Sequence, residues 1–254
     1  MSSQKLHRYG NFSSSEIHRL MSKGRGAWSL ENVGAPFKSY IKEKKRERRL
    51  GRALTNKVYK RSLAWGQIME RYVLGEKLRS AYTDMNNYPR LEHSDINCWT
   101  GKPDTLREGD IVGDMKNPYT LTAFCDLVDH VNSVGKFKEK HSDYYWQLVS
   151  NSVLMDVTQA ELIYHVPYEN EFTALQKYID EYEAKETDPF TNFQIKWISD
   201  EIQMYFDSGE EPCFPYLPND SEYNDLYQYT FTVPTEDKEA LTERVKMAQK
   251  ILEA

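Results

Sequence analysis

The stretch Gly109-Asp110-Ile111-Val112-Gly113-Asp114-Met115-Lys116-Asn117-Pro118-Tyr119-Thr120 decides how this chain folds. It alternates as a buried strand does, yet Asp110, Asp114 and Lys116 fall on one parity. Side chains two apart in a strand share a face. Asp114 and Lys116 therefore point the same way, into a cleft, while Ile111 and Met115, with Gly113 between them, face the core. Asp110 sits at the preceding turn and faces solvent. Asn117-Pro118 ends the strand. A second strand is expected around Ile96 to Asp104, joined through the polar turn Thr105 to Gly109. The hairpin so formed brings Asp104 toward Asp114 and Lys116.

Outward from the hairpin, strands and helices mix. A long helix is expected from about Val58 to Ala81, with Trp65, Met69, Tyr72 and Val73 at helical spacing. Helices are also predicted at Leu121 to Val131, Tyr144 to Met155, Phe172 to Ala184 and Thr191 to Ser208. A last one carries Leu241, Val245, Ala248 and Leu252. Ala160 to Tyr168 and Leu226 to Val233 read as strands. Ser13 with Glu16 reads as a capping box, and Pro36 suits the first turn of a helix. The predicted architecture is α/β, a small central mixed sheet flanked by helices. With 254 residues it is read as one domain, its core over about 8–168 and a C-terminal extension over about 169–254 packing on it.

The formal charge is −6, but it is unevenly spread. Lys38 to Arg61 holds eleven Lys or Arg against Glu43 and Glu47. A dense basic segment on an acidic body points to a polyanionic partner. The three cysteines, Cys98, Cys125 and Cys213, are odd in number and widely spaced. That pattern argues against a disulfide framework or a zinc site and fits a reducing cytoplasm. No histidine makes a ligand spacing with another His or with Cys. The polar N-terminus argues against a signal peptide, and no apolar run approaches the ~20 residues that span a bilayer.

Glu70, on the long helix, is a third carboxylate. Gly66 lies one turn before it and would leave room for a backbone to approach. Carboxylates converging on one point repel each other unless a cation joins them. Oxygen ligands suit Mg²⁺ or Mn²⁺. A lysine beside them is a poor ligand but holds or polarises a water. Phosphodiester hydrolysis needs that combination. Asp and Lys two apart are common at any strand end, so the pair alone reads equally as an exposed ion pair.

The order Pro103-Asp104, Asp114-Met115-Lys116 resembles the PD-(D/E)xK nuclease superfamily. Four blocks together are similar to the lambda-exonuclease family, the YqaJ-like phage recombination nucleases. They are Arg8 to Ser15, Ala64-Trp65-Gly66 with Glu70, Pro103-Asp104 with Asp114 to Thr120, and Tyr144 with Gln147. The resemblance implies a restriction-endonuclease-like core and a Mg²⁺-dependent DNA exonuclease, with Mn²⁺ able to substitute. It would act 5′→3′ on double-stranded ends. It implies Glu70, Asp104, Asp114 and the Met115 carbonyl as metal ligands, Lys116 activating water, and Gln147 on the nucleophile or phosphate. Arg8 and Ser15 would contact DNA at a 5′-phosphate. Asp114 stands where the family usually has Glu. Lys102 and Thr122 stand where it can have a phosphate-binding Ser and Arg, so Lys102 would compensate. Family members form ring-shaped trimers, so a homo-oligomer is implied, with a single-strand annealing protein as partner. The rival readings are a RecB-like or resolvase-like endonuclease and a non-catalytic DNA-end-binding module.

Overall fold

The computed structural model describes residues 9–55, 60–183, 185 and 189–254. Arg8, Lys57, Val58 and Ala184 lie outside the described residues.

A five-stranded mixed sheet runs in the order β2 (Tyr82–Asp84), β5 (Thr105–Arg107), β6 (Ile111–Lys116), β7 (Gln159–His165), β8 (Leu226–Thr232). β6 pairs antiparallel with β5 and parallel with β7, so it is interior to the sheet. A smaller sheet sets β1 (Phe12–Ser13) parallel and β3 (Leu91–Glu92) antiparallel to β4 (Trp99–Gly101). The expected mixed sheet flanked by helices is present.

The predicted strand over 96–104 is corrected. Trp99–Gly101 belongs to the small sheet, and the hairpin partner of β6 is Thr105–Arg107, turning through 108–110. Asp110 takes the turn's left-handed conformation (φ 58°) and is exposed, as its place before the strand implies. Gly113 lies opposite Thr105, and a Cβ on it would stand 2.0 Å from Thr105 Oγ1. Only glycine lets the two strands close there. Gly66, by contrast, has open space where its Cβ would be, so the expected close backbone approach does not occur there.

Two apolar clusters lie on the two faces of the large sheet. On one, Val112, Leu162 and Tyr164 pack with Tyr145, Trp146 and Leu148 of α5 (Ser142–Met155), and with Leu241 and Val245 of α8 (Thr235–Glu253). On the other, Met115 and Ile163 pack with Trp65, Ile68 and Met69 of α2 (Arg61–Tyr72), and with Phe172 and Ile198. α2 is shorter than the predicted helix: it starts at Arg61 and passes at Val73–Lys77 into a π-helical turn. The remaining helices are α1 (Ala35–Leu50), α3 (Leu121–His130), α4 (Val134–Lys140), α6 (Phe172–Glu183) and α7 (Pro189–Ser208). Residues 169–254 thus supply α6, α7, α8 and the edge strand β8.

The basic segment is not one helix. α1 ends at Leu50, where Gly51 adopts φ 67°, and Arg61 opens α2. Within α1, Lys44 is buried against Glu47 (2.9 Å) and Arg48 donates to the Gly10 carbonyl (2.8 Å). Both cations are spent on the fold. Lys38, Lys42, Arg46 and Arg49 remain exposed at helical spacing along one side. The N-terminal Ser13-Ser14-Ser15 leads into a 3-10 helix, Ser14–Met21. Ser13 caps it in position only: its hydroxyl bonds Ser15 (3.2 Å) instead of a backbone N–H, so the expected capping box does not form.

Candidate active site

The C-terminal end of β6 gathers the charges. Asp114 is fully buried, not lining an open cleft as its parity alone implied. An interior strand has helices on both faces, and α5 covers the Asp114 face. The cost of burying that carboxylate is offset by two partners. Lys116 Nζ lies 2.5 Å from Asp114 Oδ2. Gln147, from α5, donates its Nε2–H to Asp114 Oδ1. The Gln147 amide is thus on a carboxylate, with one N–H left over for another acceptor.

Asp104 precedes β5. Its backbone is fastened on both sides, with its N–H to the Gly113 carbonyl (3.2 Å) and its carbonyl to the Met85 N–H (3.0 Å). Its Oδ2 accepts from the Met115 N–H (2.8 Å). Glu70 comes from α2 on the other face of the sheet, and its Oε1 accepts from Asn86 Nδ2 (2.8 Å). The Asn86 carbonyl in turn accepts from Lys102 Nζ (2.5 Å). Lys102 therefore braces the turn that holds Glu70. Asn86 carries no signal in the sequence, and nothing in its neighbours singles it out. Tyr144 places its ring 5.4 Å from Lys116 Nζ, a cation–π contact.

These groups feel one another. Burial and the Asp114 charge hold the Asp104 carboxyl well above the usual carboxylate range, with Lys116 pulling the other way. Burial also raises Glu70; Asn86 opposes it and Asp114 reinforces it. For Lys116, burial disfavours the ammonium, but Asp114 and Asp104 outweigh it and keep the amine above its ordinary value. As an ammonium so placed, the lysine can orient and polarise a water or a phosphate oxygen.

The donors suit a hard divalent cation, being carboxylates without imidazole or thiolate. The mutual repulsion at Asp104 and Glu70 is what such an ion would relieve. The oxygens of the three are not all within 4.8 Å of one another. Glu70 and Asp104 would have to turn toward Asp114, and each is held by one hydrogen bond. Ser15, exposed beside Ser13, and Lys102 both sit at the small sheet, since β1 pairs with β4.

No family model matches the chain. No curated protein matches it either. Among solved structures it is similar to a phage-related exonuclease from Haemophilus somnus 129PT, with TM-score 0.58 and 14% identity over 95% of this chain and 93% of that one. At that identity the likeness is one of fold. It is also similar, at TM-score 0.46 and 14% identity, to an alkaline exonuclease (LHK-Exo) from Laribacter hongkongensis, covering 77% of this chain and 95% of that one.

Proposed function

We propose that the chain is a metal-dependent deoxyribonuclease that removes nucleotides from double-stranded DNA ends, in the 5′→3′ direction, in phage-type recombination. The observation that carries this reading is the buried Asp114, joined to Lys116 and Gln147, with Asp104 and Glu70 near enough for its charge to raise both carboxyls. That set lies in a fold similar to a phage-related exonuclease. A structural ion pair would not need two further carboxylates whose charges oppose it.

Glu70, Asp104 and Asp114, with the Met115 carbonyl, would hold Mg²⁺, or Mn²⁺ in its place. The ion, when bound, supplies Lewis acidity toward the phosphate and a lowered pKa for water. Lys116 orients the attacking water, and its ammonium balances charge that builds on the phosphate. Gln147 fixes the Asp114 carboxylate and keeps one N–H for the water or phosphate. Tyr144 bounds the lysine on its apolar side. Lys102, Ser15 and Arg8 would receive the terminal phosphate, with Lys102 released from the Asn86 carbonyl as it does so. The exposed side of α1 would follow the phosphate backbone by sequence-independent contacts. A homo-trimer around DNA and an annealing protein as partner complete the reading.

Linear and covalently closed circular duplex, each with and without Mg²⁺, provide the test. Linear DNA carrying a 5′-phosphate should be shortened only with Mg²⁺ or Mn²⁺. Cleavage of the closed circle would replace this reading with an endonuclease. DNA binding without metal-dependent cleavage would leave only the end-binding module.

A further inference from the structure

On the other face of β7 from the Leu162 and Tyr164 side chains, a second cluster of ligating groups gathers, in which Glu171 also accepts from the Tyr168 N–H (3.0 Å) and the Tyr72 hydroxyl (3.3 Å). His165 closes β7, Glu171 ends the turn before α6, and Asp225 precedes β8. One ligand atom from each lies within 4.8 Å of the others, the one such trio among the described residues. His165 is fully buried, and neither ring nitrogen has a hydrogen-bond partner. Its Nε2 lies 3.9 Å from Asp225 Oδ2. Burial holds the imidazole well below its ordinary pKa, so it is neutral, the form that ligates.

Lys77, at the end of the π-helical turn, now supplies the positive charge. Its Nζ lies 2.6 Å from Glu171 Oε2 and also contacts Asp225 Oδ2. One ammonium leaves two carboxylates half neutralised and does nothing for the imidazole. A divalent ion would neutralise both carboxylates and bond the ring nitrogen. The Lys77 side chain is 21% exposed, so its ammonium has a route to water.

We propose that His165, Glu171 and Asp225 form a second cation site, which takes a Zn²⁺-class ion in exchange for the Lys77 ammonium. The donor set decides the class. Zn²⁺ binds imidazole nitrogen together with carboxylate oxygen, whereas Mg²⁺ prefers oxygen and its own waters. The exchange moves no proton, because Lys77 leaves as the ammonium and His165 is already neutral. Such an ion ties the end of β7 to the segments that open α6 and lead into β8. Its role is to clamp residues 169–254 onto the strand beside β6.

The metal-free full chain, titrated calorimetrically with Zn²⁺ in saturating Mg²⁺, tests this. Asp114→Asn serves as the background, so that the Glu70–Asp104–Asp114 face does not contribute. One Zn²⁺ per chain is expected in that background, at least about tenfold weaker with His165→Asn added, and tighter with Lys77→Met added. At one fixed Zn²⁺ concentration, Zn²⁺ should also raise Tm in the background by more than it does once His165 is replaced. If His165→Asn does not fold by circular dichroism, Glu171→Gln and Asp225→Asn carry the same comparison. No Zn²⁺ uptake in the background, equal affinity after ligand replacement, or uptake only with Lys77→Met would each overturn the proposal. The last would mean that the lysine is the permanent occupant.

Discussion

Replacing Lys116 by Met separates charge balance from catalysis at the candidate site. The substitution keeps most of the side chain's length and removes its charge. Asp114 has no solvent contact, so it loses its one close cation at 2.5 Å. Removing one partner of a buried pair costs about 3–5 kcal/mol. The lysine side chain is 23% exposed, which places the expected cost at the low end, ~3 kcal/mol. In a chain of this size that lowers Tm by roughly 6–12 °C. The shift should be measured in EDTA and again in Mg²⁺. A bound cation replaces the missing charge, so the deficit in Mg²⁺ should be less than half that in EDTA. Cleavage of 5′-phosphorylated linear duplex by the folded variant should fall by about 10²–10³-fold. A Tm in EDTA equal to that of the parent would show that Lys116 does not neutralise Asp114. Undiminished cleavage would remove it from the catalytic machinery.

Gly113→Ala should destabilise the chain by about 1–3 kcal/mol, because its Cβ meets Thr105 Oγ1; pairing it with Thr105→Ala should recover part of that in a denaturant melt. Trp65 donates its Nε1–H to the Pro118 carbonyl (3.0 Å) and stacks on Phe214. Trp65→Phe should therefore cost about 1–3 kcal/mol by leaving that carbonyl unsatisfied, with a loss of cleavage rate, since Pro118 fixes the exit of β6. Lys42→Ala with Arg46→Ala should weaken DNA binding and lower the slope of log K against log salt by roughly 1–2. An unchanged slope in a fluorescence titration would place the DNA elsewhere.

Much of this was legible because the relevant elements are long enough to show a period. β6, β7, β8, α5 and α8 each carry an apolar repeat, and their positions agree with the structure to within a residue or two, except that β7 ends at His165, three residues before the expected Tyr168. The small sheet was not legible. Strands of two or three residues have no period, so Trp99–Gly101 merged with Asp104 into one expected strand. The role of Gly66 was misjudged because a helical glycine reads the same whether it meets a backbone or open space. Parity put Asp114 and Lys116 on one face, but parity does not count layers, so the burial of Asp114 emerged only with α5 in place. His165, Glu171 and Asp225 are far apart in the chain, and no local spacing announces them. Asn86 likewise acts through a fold-dependent contact with Glu70.

The pairing of β6 with β7 also bears on how this site tolerates insertions. Asp114 and Lys116 lie beside Leu162 and Tyr164, while Met115 lies beside Ile163 in the opposite cluster. Sliding β6 by one residue would put two charges among Trp65, Ile68 and Ile163, and would turn Met115 toward Gln147. A single added residue that propagates into the strand is therefore far more damaging than one that the 108–110 turn absorbs. Among homologous chains, length variation should collect at that turn and avoid the interval from Ile111 to Lys116. The alternation that lets charge share a strand with a core also fixes that strand's length and frame.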